Sequence, residues 1–417
     1  MYLQSLQIER FRAFRHSGVS FRYPGAGAAA SGKLKYPNIN LLLGNNGMGK
    51  SAALKAAALA LMSPVLAATG YRPYWLVRRE VDKSPMDAAI KAHVALSAQD
   101  REGDGGPAPN TPVLMARISR VRTTERCVFD PALATPVWDP MYSEDSAAFF
   151  FVGYGVSRTV ESPAKVDSSL RRRLRHVRYE RVAGLFEEHA TLMPLTGWLP
   201  ALQATNLRRY QEVEMLLNEL LPEGTDFHGK VLNGDYTFSH RELGVSFSAL
   251  SDGFRAYIGW IGDLLYHMCQ CCPDGAALVD HQGIVMIDEI DLHLHPEWQL
   301  VVLPTISRAL PQLQFLCTTH SPIVAGTVES ANLFLVVPDG DDETASVLTT
   351  PELEVHGLTA DQILTSSHFG LVSTRAPDFY EELRRVSRDV SRGKRGAATR
   401  FMRMTSLGAA AANVDGE

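Results

Sequence analysis

Cysteine is scarce in this chain, and no apolar run is long enough to cross a membrane. The 417 residues include five cysteines, an odd number without the spacing of a disulfide framework, which favours a reducing compartment. The first residues alternate like a strand and do not resemble a signal peptide, and the longest apolar run is interrupted by Lys55, Ser63 and Pro64. We therefore expect a cytoplasmic protein without membrane segments.

The net charge is also small. A formal charge of -5 gives the chain as a whole no attraction to nucleic acid, so any such binding must come from local basic patches. Hydrophobic residues make up 45% of the chain, which is enough for a large buried core. The composition indicates a globular protein with one large or two medium domains.

His267 and three nearby cysteines raise the alternative of a zinc site. Cys269, Cys271 and Cys272 follow an apolar, helix-like run, but the second pair of ligands that such a site needs is missing. We therefore interpret these thiols as groups that pack at the end of a helix.

Hydrophobic periodicity predicts a mixed α/β fold. Alternation over residues 3–23 predicts a hairpin, and a second pair of strands is predicted at residues 333–337 and 345–348. Further strands are predicted at 38–43, 91–96, 113–121, 149–156, 231–247, 283–287 and 314–319. Helices are predicted at 51–61, within 168–221, after residue 251, at 300–310 and at 377–390.

Residues 44–51 match the template of a P-loop and stand between a predicted strand and a predicted helix. Backbone N–H groups near Gly47 and Gly49 can approach phosphates because glycine has no side chain in the way. Lys50 would contact the outer phosphates, and Ser51 would bind a magnesium ion. The predicted nucleotide-binding set also includes Asn45, Asn46 and Ala52.

A carboxylate pair stands at the end of another apolar strand. Asp288 is placed to hold magnesium, and Glu289 to activate the attacking water as a general base or as a positioning group. His320 follows the next apolar strand, in the run Cys-Thr-Thr-His-Ser-Pro. Between the P-loop and the carboxylates lies the run Leu-Ser-Asp-Gly-Phe-Arg, which contains Ser251 and Gly253.

This set of motifs resembles the ABC-type ATPase heads of the SMC, RecF and OLD (overcoming-lysogenization-defect) proteins. In that class the signature serine and glycine of one subunit, here Ser251 and Gly253, close over the nucleotide held by the P-loop of the other. The resemblance implies a homodimer, or a higher oligomer of dimers, around ATP and Mg²⁺. It also implies catalytic roles for Lys50, Glu289 and His320, with His320 sensing the terminal phosphate. By the same resemblance Arg12, in Phe-Arg-Ala-Phe, reaches the nucleotide.

The resemblance further implies an α/β P-loop NTPase fold of the ABC-ATPase head type with two lobes. SMC proteins insert a long coiled coil between the lobes, whereas this chain has about 50 residues there without sustained heptads, so we expect a short helical insertion. The predicted segments are an N-terminal lobe with the P-loop at 1–167, the helical insertion at 168–222, a second lobe at 223–350 and a basic helical region with a tail at 351–417.

Two features of this class are missing from the sequence. The glutamine loop has no clear counterpart, but residues 153–158 resemble a tyrosine-glycine-arginine segment of smaller bacterial ATPases, so Arg158 is a candidate for a functional contact.

The TOPRIM nuclease domain of OLD proteins needs on the order of 100 residues. Only 97 residues follow His320, and several must complete the ATPase sheet. We interpret Asp339, Asp341 and Asp342 as a hairpin turn and expect no intrinsic nuclease.

Within this class the chain resembles bacterial anti-phage ATPases of the Septu and retron-associated types. The resemblance implies an ATPase that gates a separate effector protein, a nuclease in the simplest case. A RecF-like DNA-repair clamp that binds DNA directly is the alternative. Two basic stretches bear on this choice, because each is either a solvated helix face or a contact with nucleic acid. They consist of Arg171, Arg172, Arg173, Arg175, Arg178 and Arg181, and of Arg384, Arg385, Arg388, Arg392, Lys394, Arg395, Arg400 and Arg403.

Overall fold

The computed structural model describes residues 1–26, 34–69, 71–79, 87–97, 100, 112–128, 146, 148–160, 176–232, 234–240, 243–351, 354–366, 369 and 371–406. Met1–Gly357 form one compact unit and Leu358–Glu417 a second, and each is described by itself. Within the described ranges, no helix has both the length and the apolar character needed to cross a membrane.

The first unit is built on a mixed sheet that has eleven strands among the described residues. They are β1 (Tyr2–Phe11), β2 (Phe14–Ser20), β3 (Ile39–Leu43), β4 (Ala88–Ala95), β5 (Val113–Val121), β6 (Thr124–Val128), β7 (Phe151–Tyr154), β13 (Gly283–Ile287), β14 (Leu313–Thr319), β15 (Leu333–Pro338) and β16 (Ser346–Thr349). Two small sheets accompany it, formed by β8 (Thr159–Val160) with β9 (Thr191–Leu192), and by β10 (Thr225–Leu232), β11 (Asp235–His240) and β12 (Leu243–Ser246).

The helices of the first unit cover the sheet and connect its strands. They are α1 (Lys50–Leu61), α2 (Val177–Glu180), α3 (Leu199–Thr205), α4 (Leu207–Leu220), α5 (Asp252–Cys271), α6 (Pro296–Gln299), α7 (Val302–Ala309) and α8 (Pro322–Ala325). The second unit contains α9 (Ala360–Thr365), α10 (Pro377–Ser391) and α11 (Ala397–Ser406).

The order of the strands places the predicted motifs side by side. The sheet runs β6-β5-β4-β1-β2-β16-β15-β3-β14-β13-β7, and β3, β14, β13 and β7 are parallel neighbours. Each of these four strands is buried along its whole length, as expected for parallel strands covered on both faces. Because the carboxyl ends of parallel strands meet at one edge, the loops after β3, β13 and β14 come together there.

The sheet separates two apolar cores, and alternation along single strands divides the side chains between them. Val285 and Ile287 of β13 enter one core, which also contains much of α5, whereas Ile284 and Met286 enter the other, which contains α1. This two-sided burial confirms the expected α/β fold. The predicted strand pair is also confirmed, since β15 and β16 are antiparallel across the acidic turn.

The expected helical insertion contains short elements in its described part. Residues 176–222 form α2, α3, α4 and single turns of 3₁₀ helix, and α4 is the longest of the helices at 14 residues. The lobe boundaries proposed from the sequence stay predictions.

The reading of the first basic stretch as a solvated or nucleic-acid-binding face is wrong for two of its arginines. Arg178 and Arg181 are only 1% and 4% exposed. Arg178 Nη1 donates to the carbonyls of Ala148 and Phe149, and Arg181 Nη2 donates to Cys271 Sγ. Both side chains therefore bind protein groups. The other four arginines of this stretch lie outside the described residues.

The zinc alternative gains no support from the part of the chain that the structure describes, where no three His, Cys, Asp or Glu side chains form a metal-binding group. Cys271 and Cys272 are buried at the carboxyl end of α5, as expected for packed thiols.

In the second unit, α10 and α11 pack as a helical pair. Val386 of α10 is buried, and Arg400 of α11 forms an ion pair with Glu382. The basic side chains of the second stretch are exposed. Their contact with nucleic acid stays a prediction.

Candidate functional site

The P-loop folds as the sequence predicts, with a glycine turn between β3 and α1. Gly49 has a φ of 107°, in the left-handed region that favours glycine. A Cβ at Gly49 would lie 3.0 Å from Ala13 Cβ and 3.2 Å from Phe14 Cε2, so the turn between β1 and β2 packs directly on the loop. The first N–H groups of α1 have no partners within the helix, which is the arrangement that binds phosphate.

Lys50 begins α1, and its ammonium group contacts the loop. Nζ donates to the carbonyl oxygens of Gly44 at 2.7 Å and Asn45 at 3.2 Å, and it lies 3.2 Å from His320 Nδ1. Burial lowers the pKa of Lys50 to about 8, although the nearby Asp288 and Glu289 act in the opposite direction. Phosphate oxygens accept stronger, charge-assisted hydrogen bonds than carbonyls do, so Lys50 is placed to bind them.

Asp288 forms the centre of a buried hydroxyl and carboxylate cluster. Its Oδ1 accepts from Ser51 Oγ at 3.0 Å and from Thr318 Oγ1 at 2.6 Å. Thr318 Oγ1 also accepts from the N–H of Glu289 at 2.7 Å. Hydroxyl and carboxylate oxygens are the ligands that Mg²⁺ prefers, so Ser51 and Asp288 fit the magnesium of MgATP. No sequence motif singles out Thr318, which connects the ends of β13 and β14.

Glu289 follows Asp288 in an unusual backbone conformation. Its φ is 51°, and its side chain is 30% exposed with Oε1 at 3.9 Å from His320 Nε2. Conformations of this kind in non-glycine residues persist where surrounding contacts enforce them, often at functional sites. Glu289 is thus the carboxylate that can reach a water molecule, while its buried neighbour Asp288 binds the hydroxyl groups.

Hydrogen bonds from Arg158 hold the backbone of Asp288 and Glu289 in this conformation. Its Nη2 donates to the carbonyls of Asp288 and Glu289, the latter at 2.7 Å, and its Nε donates to the carbonyl of Gly155 at 3.1 Å. Burial lowers the pKa of Arg158 to about 10. The arginine chosen from the sequence as a functional candidate therefore holds the backbone that carries both carboxylates.

His320 lies between Lys50 and Glu289. Burial, with the Lys50 charge as a second cause, lowers the pKa of its imidazole. A neutral ring accepts at one nitrogen and donates at the other, and an ammonium group can only donate. We therefore assign the acceptor role to Nδ1, which faces Lys50, and the proton to Nε2, which faces Glu289.

Lys50, Ser51, Glu289 and His320 line one cleft of about 740 Å³. Arg12, on the turn after β1, is exposed and lines this cleft, and its contact with nucleotide stays a prediction. Four further lining residues come from one segment that no sequence motif marks; they are Trp75, Val77, Arg78 and Arg79. The predicted residues in the lining are Arg12, Asn46, Gly47, Gly49, Lys50, Ser51, Ala52, Glu289 and His320, and Asn45 contributes the carbonyl already described.

The signature residues are placed at the start of α5 and are not among the residues that line this cleft. Ser251 is the exposed N-cap of α5, and its side chain makes no capping hydrogen bond. A Cβ on Gly253 would lie 2.2 Å from the carbonyl oxygen of His293, so only glycine permits this approach of the loop after Glu289. The signature is thus fixed against that loop rather than against the P-loop of the same chain.

The chain has the fold of an ABC-type P-loop ATPase head. A family model described as "AAA domain, putative AbiEii toxin, Type IV TA system" matches residues 157–325. Among solved structures, the chain is similar to an SMC head bound to the C-winged helix domain of ScpA, with a TM-score of 0.51 and 14% identity over 85% of this chain and 98% of that one. At that identity the likeness establishes the fold alone.

Curated proteins that are similar in sequence to this chain include a retron ATPase and a Septu protein. The Retron Ec83 probable ATPase of Escherichia coli is 31% identical over 158 residues, which are 38% of this chain and 29% of that protein. Septu protein PtuA of Bacillus mycoides is 23% identical over 392 residues, which are 91% of this chain and 46% of that protein. The chain spans less than half the length of these relatives.

Proposed function

We propose that the chain binds and hydrolyses ATP as a dimeric head and controls a separate effector, most simply a nuclease, in defence against phage. One observation carries the catalytic part of the proposal: Lys50, Ser51, Asp288, Glu289 and His320 meet at the ends of adjacent parallel strands. The defence role rests on the resemblance to Septu and retron ATPases.

Each side chain has a distinct task in this proposal. Lys50 and the N-terminus of α1 bind the phosphates, while Ser51 and Asp288 hold Mg²⁺, which neutralises phosphate charge when bound. Glu289 accepts the proton of the attacking water at Oε1 or orients that water. His320 donates a hydrogen bond from Nε2 towards the terminal phosphate, which stabilises the charge that develops there.

The position of Ser251 supports a dimer with shared sites. Its hydroxyl and the N–H groups of the first turn of α5 are placed outside the cleft that holds Lys50, and a helix N-terminus of this kind can bind an anion. In a dimer of the implied kind, this arrangement faces the nucleotide of the second copy. The contact between Gly253 and His293 would couple it to the loop that follows Glu289.

The catalytic roles are tested by steady-state hydrolysis and nucleotide binding with two variants. Lys50→Ala should lose ATP binding, whereas Glu289→Gln should bind ATP, hydrolyse it at least about 100-fold more slowly and accumulate as a dimer. Glu297→Gln is the matched control, because Glu297 is an exposed glutamate outside the cleft lining. A Glu289→Gln protein that turns over ATP at the wild-type rate would contradict the assignment.

Shared sites are tested by mixing two inactive chains. Ser251→Arg and Lys50→Ala proteins should form heterodimers that contain one intact composite site, and the mixture should regain hydrolysis that neither homodimer has. The same mixture analysed by light scattering shows whether heterodimers form. Heterodimers without any regained hydrolysis would count against independent shared sites.

The effector role is tested with nucleic acid substrates. The purified chain with Mg²⁺ or Mn²⁺ should leave plasmid and single-stranded DNA intact, and nucleotide-dependent cleavage should appear only when the product of a neighbouring gene is added. Cutting by the chain alone that Asp339→Asn abolishes and Lys50→Ala preserves would show that the acidic turn is a nuclease site.

A further inference from the structure

A buried tyrosine connects the signature helix α5 with the segment that carries the two carboxylates. Tyr154 ends β7 and is 3% exposed, and its hydroxyl donates to Asp263 Oδ2 on α5 at 3.0 Å. Its backbone carbonyl accepts from the N–H of Asp288 at 2.8 Å. One residue therefore binds α5 through its side chain and the carboxylate segment through its main chain.

Asp263 is a carboxylate inside an apolar core. It is buried, its Oδ1 accepts from the N–H of Met193 at 2.7 Å, and its Oδ2 lies 3.3 Å from His267 Nε2. Its described partners are thus a hydroxyl, a backbone N–H and an imidazole, and none of these carries a permanent charge. Burying a charge is costly, and apolar replacements of buried charged groups are often neutral or stabilising, so stability alone does not explain a carboxylate at this position.

Close packing fixes α5 on the face that carries Asp263. Gly259 and Gly262 lie on this face, because residues three and four apart in a helix are neighbours. A Cβ on Gly259 would lie 2.5 Å from Val160 Cγ2, and a Cβ on Gly262 would lie 2.8 Å from Leu195 Cδ2. The two glycines let the helix approach its neighbours closely, which leaves it little room to slide past Tyr154.

The segment 154–158 binds both polar backbone groups of Asp288. Tyr154 accepts from its N–H, and Arg158 Nη2 donates to its carbonyl and to the carbonyl of Glu289. The hydrogen bond between Tyr154 and Asp263 fastens the first end of this segment to α5. The backbone that aims Glu289 is therefore connected to the helix that begins at the signature.

We propose that Tyr154 and Asp263 are positioning residues for ATP hydrolysis, which hold the segment of Asp288 and Glu289 in a fixed place relative to the signature helix. This inference rests on the proposed function. Both residues lie outside the described lining of the nucleotide cleft, so they act through the carboxylates rather than on the nucleotide. Loss of their hydrogen bond should lower the rate of hydrolysis and leave the affinity for ATP, which depends on the P-loop, unchanged.

The test compares two buried tyrosines whose hydroxyl groups bind different parts of the protein. Tyr154→Phe keeps the ring and removes the bond to Asp263. Tyr257→Phe is the matched control, because Tyr257 is a buried residue of α5 whose hydroxyl donates to the carbonyl of Leu220 at 2.7 Å. The measurements are kcat, the dissociation constant of a non-hydrolysable ATP analogue with Mg²⁺, and urea unfolding.

Both variants should lose a similar amount of stability, because each loses one buried hydrogen bond. Tyr154→Phe alone should lower kcat, by about ten-fold, and should change the dissociation constant less than about two-fold. Equal kcat in the two tyrosine variants would overturn the inference, as would weaker nucleotide binding by Tyr154→Phe with an unchanged kcat.

A double-mutant cycle tests whether the two residues act through one bond. The kcat of Tyr154→Phe combined with Asp263→Asn should be no lower than that of the more impaired single variant, and losses that multiply would contradict the inference. Should Asp263→Asn fail to fold, the comparison of the two tyrosines decides. A wild type that hydrolyses no ATP refutes the proposed function and this inference with it, whereas an active wild type with equal kcat in the two tyrosine variants refutes the inference alone.

Discussion

Lys50 Nζ lies 3.2 Å from His320 Nδ1, while Nε2 of the same ring lies 3.9 Å from Glu289 Oε1. The imidazole thus lies between the lysine that we propose binds phosphate and the carboxylate that we propose activates water. Neither contact is local in the sequence, since Lys50 begins the helix α1 after β3, Glu289 follows β13 and His320 follows β14. Because His320 lies between these two residues, its effect on the rate of hydrolysis can be measured separately from its effect on nucleotide affinity.

We expect His320→Ala to slow hydrolysis about 100-fold, as for the loss of one donor that stabilises developing charge, and to change ATP affinity only a few-fold. The measurement is kcat together with the dissociation constant of ATP. His16→Ala is the control, because His16 is exposed and outside the cleft lining. Loss of affinity with an unchanged kcat would assign His320 to ground-state binding instead.

Thr318 is expected to matter because it supports both carboxylate residues. Thr318→Val keeps the shape of the side chain but removes the hydrogen bond to Asp288 Oδ1 and leaves the partly buried N–H of Glu289 without its acceptor. We expect a several-fold higher Mg²⁺ requirement for hydrolysis and a loss of about 1–3 kcal/mol in the free energy of unfolding. Magnesium titration of the rate and urea unfolding measure the two effects.

Thr327→Val is the control for this experiment, because the hydroxyl of Thr327 binds only the local carbonyl of Val324 among the described contacts. An unaltered Mg²⁺ requirement in Thr318→Val would mean that Asp288 holds its position without the threonine.

Gly253 provides a test of the contact between the signature and the loop after Glu289. In Gly253→Ala the new Cβ would lie 2.2 Å from the carbonyl oxygen of His293, and a backbone atom cannot rotate away as a flexible side chain can. We expect at least a ten-fold loss of hydrolysis with ATP binding at the P-loop intact, since overpacking of this size costs about 1–3 kcal/mol.

The matched control is Gly244→Ala, where no heavy atom of the described residues, chain neighbours aside, lies within 4 Å of the added methyl group. Both variants are assayed for nucleotide binding and for turnover. Wild-type turnover by Gly253→Ala would show that the loop moves without consequence for the reaction.

Much of the site is predictable because its chemistry is local in the sequence. The P-loop and the pair Asp288-Glu289 each occupy a few consecutive residues beside an apolar strand, and the structure confirms those strands as β3 and β13. The contacts of Arg158 are different in kind. Its partners are 130 and 131 residues away, and only the parallel pairing of β7 with β13 brings them together.

Charge counting from sequence failed at Arg178 and Arg181 for a related reason. A run of arginines has the same pattern whether the guanidinium groups face water or bind carbonyls inside the protein. Arg178 meets the carbonyls of Ala148 and Phe149, which belong to a chain segment about 30 residues earlier. Neither periodicity nor composition contains that pairing, which depends on the tertiary fold.

His281 is a buried histidine that should make the protein sensitive to acid. It is 2% exposed, packs edge to face on Phe150 with ring centroids 4.6 Å apart, and neither of its ring nitrogens has a hydrogen-bond partner within the described part of the chain. Burial, with the charge of Arg181 as the next cause, lowers its pKa to about 3.

The sign of the pH effect follows from these values. The ordinary pKa of histidine is about 6.5, and between that pH and about pH 3 a proton binds His281 in the unfolded chain but not in the folded one. The neutral His281 therefore costs the folded state nothing above pH 6.5, and the free energy of unfolding falls as the pH is lowered below that value. At pH 5 the loss from this one group is about 2 kcal/mol.

His281→Leu removes the group, so the difference in the free energy of unfolding between pH 7.5 and pH 5 should shrink by about that amount. Urea unfolding at the two pH values measures it, with the exposed His228→Leu as control. The same pH dependence in His281→Leu and in the wild type would mean that other groups determine the acid sensitivity.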